Sequence, residues 1–287
     1  MYIAKAWKDF EVLDMGDGEK LERWGNYLLR RPDPQVIWPA RHPELWGGAH
    51  ATYRRSKTGG GAWELHRKLP EQWQVRYEPL ELTFQIKPMG FKHTGLFPEQ
   101  AANWDWMAGL LRARPGARVL NLFAYTGGAT AACAAAGAQV CHVDAAKNMV
   151  AQAKENLAVS GLADKPVRYI VDDCVKFVQR EIRRGRQYEG ILMDPPSYGR
   201  GPSGEMWKIE SSLHPLVELC CQLLSDQPLF MLINSYTTGL QPAVLQNLLQ
   251  MTAARAKGGH VQADEVGLPV KDSALVLPCG ASGRWEA

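Results

Sequence analysis

The amino-acid sequence predicts an α/β fold, a mainly parallel sheet covered by helices on both faces, with a small β-rich lobe at the N-terminal end. Three observations lead there. Strand-like apolar runs alternate with helical segments from Trp104 onward, several of those runs end in an acid, and the stretch before them is cut into short alternating pieces by turn residues. With 287 residues and 46% hydrophobic content, the chain can bury a sizeable core.

In order, the lobe comes first, over residues 1–88. The stretches "KDFEVLD", "QVIWP", "WQVRYE" and "LELTFQIK" read as strands, separated by the turn signals "GDG", "RPDP" and "TGGG". Residues 89–287 form the α/β domain. There "ARVLNLFA" reads as a strand, "GATAACAAAGA" as a helix after a glycine turn, and "QVCHVD" as a second strand. The helix "AAKNMVAQAKENLAVSGL", the strand "VRYIVDD", the helix "VKFVQREIRRG" and the strand "YEGILMDPP" follow. "SSLHPLVELCCQLL", "PLFMLINSY", "PAVLQNLLQMTAARA", "GHVQADEVGL" and "SALVLPCG" complete the alternation. No internal repeat or low-complexity tract is visible.

Composition excludes several classes. The N-terminal stretch has no signal-peptide pattern and no apolar run approaches the length of a membrane span, so a cytoplasmic protein is expected. The six cysteines (Cys133, Cys141, Cys174, Cys220, Cys221 and Cys279) show neither a C-x-x-C pair nor histidines at metal spacing, so neither a disulfide framework nor a metal site is expected. A net charge of +3 is compatible with a polyanionic partner without requiring one. Basic residues concentrate in 53–68 and 176–188, either as solvated faces or as patches that meet phosphates.

The candidate ligand site lies at strand ends. Gly127 and Gly128 follow the first strand of the alternation, where glycine allows close backbone approach and a helix start favours an anion. Asp144 closes the next strand, about twenty residues on, at the spacing where an acid receives ribose hydroxyls in nucleotide-binding units. Asp172 and Asp173 close the third strand, as ligand contacts or as a helix N-cap. The dehydrogenase fingerprint G-x-G-x-x-G is absent from "YTGGATAA", which argues against a nicotinamide cofactor.

Taken together, "HTGLFPEQ", "NLFAYTGG", "HVDAAKNMV", "VDDCVKFV" and "ILMDPPSYG" resemble the class I S-adenosylmethionine-dependent methyltransferases, in particular the bacterial large-subunit rRNA family with cytosine-C5 and guanine-N7 enzymes. The resemblance covers about residues 90–280 and implies a seven-stranded Rossmann-like methyltransferase sheet. It implies S-adenosyl-L-methionine as cofactor. Asn121, Phe123, Ala124, Tyr125, Thr126, Gly127 and Gly128 would then line its methionine and ribose part. Asp144, with Ala145 beside it, would hold the ribose. Asp173 and Cys174 would meet the adenine edge, Asp194, Pro195 and Pro196 would border the methyl group, and Phe97 and Gln100 would fold over the methionine end. Asn121 stands where many methyltransferases carry an acid.

The acceptor atom is read from what is missing. Carbon 5 of a pyrimidine needs a cysteine nucleophile, and the family's cytosine enzymes place one just after the fifth strand, where this chain has Ser235, Tyr236 and Thr237. Cys220 and Cys221 fall in an apolar helical segment and are expected in the core. A nitrogen target is favoured, with the proline carbonyls free to accept from a substrate amine and Tyr198 available to stack a base, although Ser197 intervenes before that aromatic. "GRGPSGEMWKIE" reads as a mobile loop, with Arg200 and Lys208 able to reach phosphate and Trp207 as its anchor. The reading is thus an enzyme that methylates an RNA base, with rRNA as partner. Rival readings are a methyltransferase acting on a protein or small molecule, and a non-catalytic cofactor-binding RNA or ribosome assembly factor.

Overall fold

The computed structural model describes residues 1–56, 60–200, 204 and 206–287. Its contacts divide the chain into two units. The β unit holds Ile3–Ala102 and Gly267–Pro278, and the α/β unit holds Met1–Tyr2, Asn103–Val266 and Cys279–Ala287.

The α/β unit is built on β1 (Arg118–Leu122), β2 (Gln139–Asp144), β3 (Val167–Val171), β4 (Gly190–Met193), β5 (Phe230–Ser235), β6 (His260–Pro269) and β7 (Val276–Glu286). Their spatial order is β3-β2-β1-β4-β5-β7-β6, and the two-residue strand Tyr2–Ile3 adds an eighth member beside β6. The seven expected strands are therefore present, and the addition is too short to carry a periodic signal. β1 to β5 pair in parallel, and β7 runs antiparallel to β5. Central strands read as unbroken apolar runs because helices cover both their faces. All of β4 and β5 is buried, whereas β3 at the rim is only partly so.

Between the strands run α1 (Ala101–Arg112), α2 (Gly128–Ala135), α3 (Lys147–Val159), α4 (Cys174–Arg183), α5 (Ile209–Cys221) and α6 (Pro242–Leu249). α2 is almost entirely Gly, Ala, Thr and Cys, and its small side chains let it lie close to its neighbours: a Cβ on Gly128 would stand 2.8 Å from the Trp104 ring. Beneath α5, a core of Leu213, Leu216, Val217, Cys220, Leu223 and Met231 is closed to solvent.

The β unit carries a five-stranded sheet of Phe10–Gly16, Glu19–Trp24, Tyr27–Pro32, Ala51–Arg55 and Gly61–Leu65, and a separate pair, Trp73–Tyr77 with Leu82–Ile86. Asp17 and Gly18 both take positive φ (53° and 78°), as a two-residue hairpin turn between right-twisted strands requires. "QVIWP" is not a strand. Prolines 32, 34 and 39 bracket it, Val36 donates its N–H to Asp33 instead of a ladder, and Ile37 is exposed. A buried ion pair anchors the sheet, with Arg31 Nε and Nη2 reaching Glu22 at 2.6 and 2.8 Å.

The sequence sets the boundary at residue 88, whereas the β unit continues to Ala102 and takes in Gly267–Pro278. Specific bonds hold these additions: Trp7 Nε1 donates to the Pro98 carbonyl (2.8 Å), Arg31 Nη1 to that of Lys92 (3.0 Å), and the Lys271 N–H to Val12 (2.8 Å). Such pairings across the chain leave no local signature.

Candidate active site

Parallel pairing in register brings the ends of β1, β2, β3 and β4 to one edge of the sheet, the place where open α/β sheets bind ligands. The turn after β1 is the most constrained backbone there. Phe123 (φ 54°), Tyr125 (φ 49°) and Gly127 (φ 81°) are all left-handed, a conformation costing L-residues roughly 1–2 kcal/mol each. Such a turn persists only where its surroundings over-determine it, a pattern found at ligand clamps.

Those surroundings can be named. The Phe123 N–H donates to Cys174 Sγ (3.3 Å), the Ala124 N–H to the Val143 carbonyl (3.0 Å), and the Tyr125 N–H to Asp144 Oδ2 (2.8 Å). Asn156 Nδ2 holds the carbonyl of buried Thr126 at 2.8 Å. Gly127 is dictated twice, by its φ and by Ala153, whose Cβ would lie 2.8 Å from any added Cβ. Both glycines are therefore required by the protein's own packing.

Asp144 closes β2, between the ends of β1 and β3. Its Oδ2 takes the Tyr125 N–H and its Oδ1 takes that of Ala146 (2.8 Å), so each oxygen keeps acceptor capacity. Burial raises its pKa, partly opposed by the two amide bonds. Ala145, next in the chain, is exposed.

Asp173 is the N-cap of α4, with Oδ1 accepting from the Lys176 N–H (2.9 Å). Asp172 accepts the Asp173 N–H and pairs with Arg180, so it stabilises the turn and the helix. Two candidate side chains are committed inward. Asn121 is buried and donates to Thr130 Oγ1 (2.9 Å), which lies 2.9 Å from His142 Nδ1. Cys174 is buried beneath the Phe123 amide and its thiol pKa is raised well above the usual value by burial, so towards a ligand it offers its backbone only.

At the tip of β4, the Asp194 N–H reaches the Leu122 carbonyl (3.4 Å), which ties the tip to β1. Pro195 is buried and Pro196 exposed. Contrary to expectation, the Pro196 carbonyl is not free, because Trp207 Nε1 donates to it at 2.6 Å. Trp207 also packs on Phe123, with ring centroids 5.0 Å apart, and so serves as the expected anchor. Ser197 Oγ lies 2.6 Å from Thr237 Oγ1, which links the ends of β4 and β5. Tyr198 opens a short strand, Tyr198–Arg200, paired with Met206–Lys208; the residue is 52% exposed and its hydroxyl meets Met206 Sδ at 3.3 Å. Residues 201–203 and 205 of the expected mobile loop lie outside the described residues. Phe97 and Gln100 belong to the β unit, where the Gln100 N–H bonds the Phe97 carbonyl (3.1 Å) and the Phe97 ring meets His93.

Sequence reasoning missed Thr130, His142 and Asn156, which brace the turn from behind, because their spacing follows no motif. Cys220 lies in the core as expected. Burial raises every resolved thiol, those of Cys141 and Cys221 to about 11 and that of Cys133 to about 12. Among the described residues no group of three or more His, Cys, Asp or Glu side chains is placed to hold a metal ion, and no helix is long and apolar enough to cross a membrane.

Residues 48–261 match the family model described as S-adenosylmethionine-dependent methyltransferase. A SAM-dependent methyltransferase from Agrobacterium tumefaciens is 35% identical, with a TM-score of 0.92 over 98% of this chain and 91% of that one. One from Streptococcus mutans matches in fold alone, at 17% identity and a TM-score of 0.74 over 98% of this chain and 76% of that one. Ribosomal RNA large subunit methyltransferase K/L of Shewanella frigidimarina is 30% identical over 205 residues, 71% of this chain and 27% of that protein. The chain spans about 16 to 27% of the length of the curated relatives it matches.

Proposed function

Since the chain belongs to the S-adenosylmethionine-dependent methyltransferase family, we propose that it methylates a base of ribosomal RNA, at a nitrogen and not at cytosine carbon 5. The cofactor supplies a sulfonium-bound methyl group, and the carboxyl edge of the sheet fits it. Asp144, with a lone-pair face left on each oxygen, accepts the two ribose hydroxyls. The first turn of α2 leaves its amides without intrahelical acceptors, an environment that favours the methionine carboxylate. Asp173, through the oxygen not used in capping, and the Cys174 amide at the start of α4 meet the adenine edge. Phe97 and Gln100 are assigned to the methionine end on the family resemblance.

The acceptor base is then held against the tip of β4. In-line displacement at a sulfonium needs positioning above all, and a fixed near-attack geometry supplies much of the acceleration. Asp194, Pro195 and Pro196 form the wall, and exposed Tyr198 offers a ring for stacking. With one lone pair of the Pro196 carbonyl taken by Trp207, the Asp194 carboxylate is assigned as the main acceptor for a substrate N–H.

One observation carries the choice of nitrogen. Carbon-5 chemistry needs a thiolate, yet the chain at and just past the ends of β4 and β5 carries Ser197, Ser235 and Thr237 in place of cysteine, and the thiol of Cys174, beneath the Phe123 amide, is buried with its pKa raised well above the usual value. The rRNA substrate rests on the names of the curated relatives. Mass spectrometry of rRNA nucleosides from a deletion strain tests both parts. Loss of one N-methylated base is expected. Loss of 5-methylcytidine would overturn the nitrogen assignment, and an unchanged nucleoside profile would overturn the RNA substrate.

A further inference from the structure

The opposite edge of the same sheet holds a cleft of about 530 Å³, within the range of small-ligand sites. Residues at or beside the starts of β1, β2, β3 and β4 line it, which sets it about 17 Å, five residues of parallel strand, from the carboxyl edge. Its charged groups are Arg118, Arg168 and Arg186. Glu189 fixes Arg118 through Nε (3.3 Å) and Nη2 (2.8 Å), leaving Nη1 for another partner. Buried Glu181 accepts from Tyr188 Oη (2.6 Å), and Arg184 (3.1 Å) and Arg168 (3.8 Å) gather around it. Arg186 is exposed and has no side-chain ion pair among the described residues. Four arginines against two glutamates leave an excess of two positive charges.

The remaining lining is of a different kind. Val140, Pro166 and Val167 give an apolar wall, while Gln139 and Gln187 add amide donors and acceptors. Tyr188 and Cys141 stay protonated, because burial raises both, so they add no negative charge. The aromatic ring of Tyr188 is buried and offers no face to a base. Guanidinium groups beside an apolar wall, one of them fixed by Glu189, without a stacking surface, suit a sugar-phosphate more than a nucleobase.

We propose that this amino-edge cleft is a second ligand site, which takes the ribose-phosphate unit of a nucleotide, either free or within an RNA strand. The assignment is independent of the acceptor at the carboxyl edge. The basic segment 176–188, unused by the methyl-transfer site, supplies Arg186 and the neighbouring Arg184.

The test uses the full chain saturated with S-adenosylhomocysteine, so that the cofactor site is filled. Binding of uridine monophosphate is measured by calorimetry and of a short single-stranded RNA by fluorescence anisotropy over a range of salt. The variants are Arg168→Glu with Arg186→Glu, and the milder Arg186→Gln, which breaks no ion pair. The double variant is expected to weaken binding roughly tenfold or more and to flatten its salt dependence, with cofactor affinity unchanged. An effect on uridine monophosphate identifies a free nucleotide as sufficient, whereas an effect on RNA alone identifies the strand as the source. Arg186→Gln should show the same effect in smaller measure. If the wild type binds neither probe, or both variants bind them as the wild type does, the second site is overturned.

Discussion

Asp144 carries opposing demands in one side chain. Burial favours its neutral form, while two amide donors favour the carboxylate, and burial prevails, so its pKa lies above the ordinary value. The sign for folding follows: a carboxyl with a raised native pKa binds its proton more tightly in the folded state, so at this residue the cofactor-free fold gains stability as pH falls through that pKa. Cofactor binding has the opposite sign, because accepting both ribose hydroxyls requires the ionised form. Calorimetric affinity for S-adenosylhomocysteine should therefore fall as the pH is lowered from neutral through the raised pKa of Asp144. Asp144→Asn should lower the neutral-pH affinity by roughly tenfold or more and remove that pH dependence; an affinity equal to wild type would refute the ribose assignment. The two glycines separate backbone from packing effects. Gly128→Ala meets the Trp104 ring first and should cost about 1–3 kcal/mol of stability. Gly127→Ala meets Ala153 and must also hold φ at 81°, so denaturant unfolding should show the larger loss.

Elements join the residues into a site, and their legibility in the sequence was uneven for physical reasons. β1, β2 and β4 were legible because doubly covered strands are largely apolar, and the acids that close β2 and follow β4 stand out against such runs. The direction of a side chain at or near a strand end was not. Asn121 and Cys174 turn inward because Thr130 and the Phe123 amide await them, partners separated from them in sequence by nine and 51 residues. The strands Glu19–Trp24 and Tyr27–Pro32 were hidden because their charged members pair across strands, as Glu22 does with Arg31. The tip of β4 shows what such ties achieve. Trp207 joins the Pro196 carbonyl to the Phe123 ring, and so couples the wall for the methyl acceptor to the left-handed turn. Trp207→Phe keeps much of the ring packing but strands that carbonyl, so a stability loss of about 1 kcal/mol is expected. Turnover should fall by more than cofactor affinity does. Equal losses in the two would show that Trp207 acts on the turn alone.

Across the α/β unit, arginines gather at the amino ends of the strands and aspartates at the carboxyl ends. β1 begins at Arg118, Arg168 lies in the first turn of ladder of β3, and Arg186 precedes β4; Asp144, Asp172, Asp173 and Asp194 stand at the other ends. Parallel strands make such sorting possible, since every amino end falls on one edge and every carboxyl end on the other. One small ligand at the carboxyl edge therefore touches segments far apart in sequence but adjacent in register. Hydrogen exchange with and without saturating S-adenosylhomocysteine reads this directly. Among locally exchanging amides, protection should rise together in residues 122–128, 144–146, 172–174 and at Asp194, while local exchange at the amino edge, around 118, 139, 167 and 187, changes little. Binding at about 100 times the dissociation constant adds about 2.7 kcal/mol to the stability of the unit that binds, so globally exchanging amides in β1 and β4 should slow by up to roughly a hundredfold. Protection confined to the glycine turn would mean that the acids of β3 and β4 take no part in holding the cofactor, and the assignment of the adenine edge and of the methyl wall would fall with it.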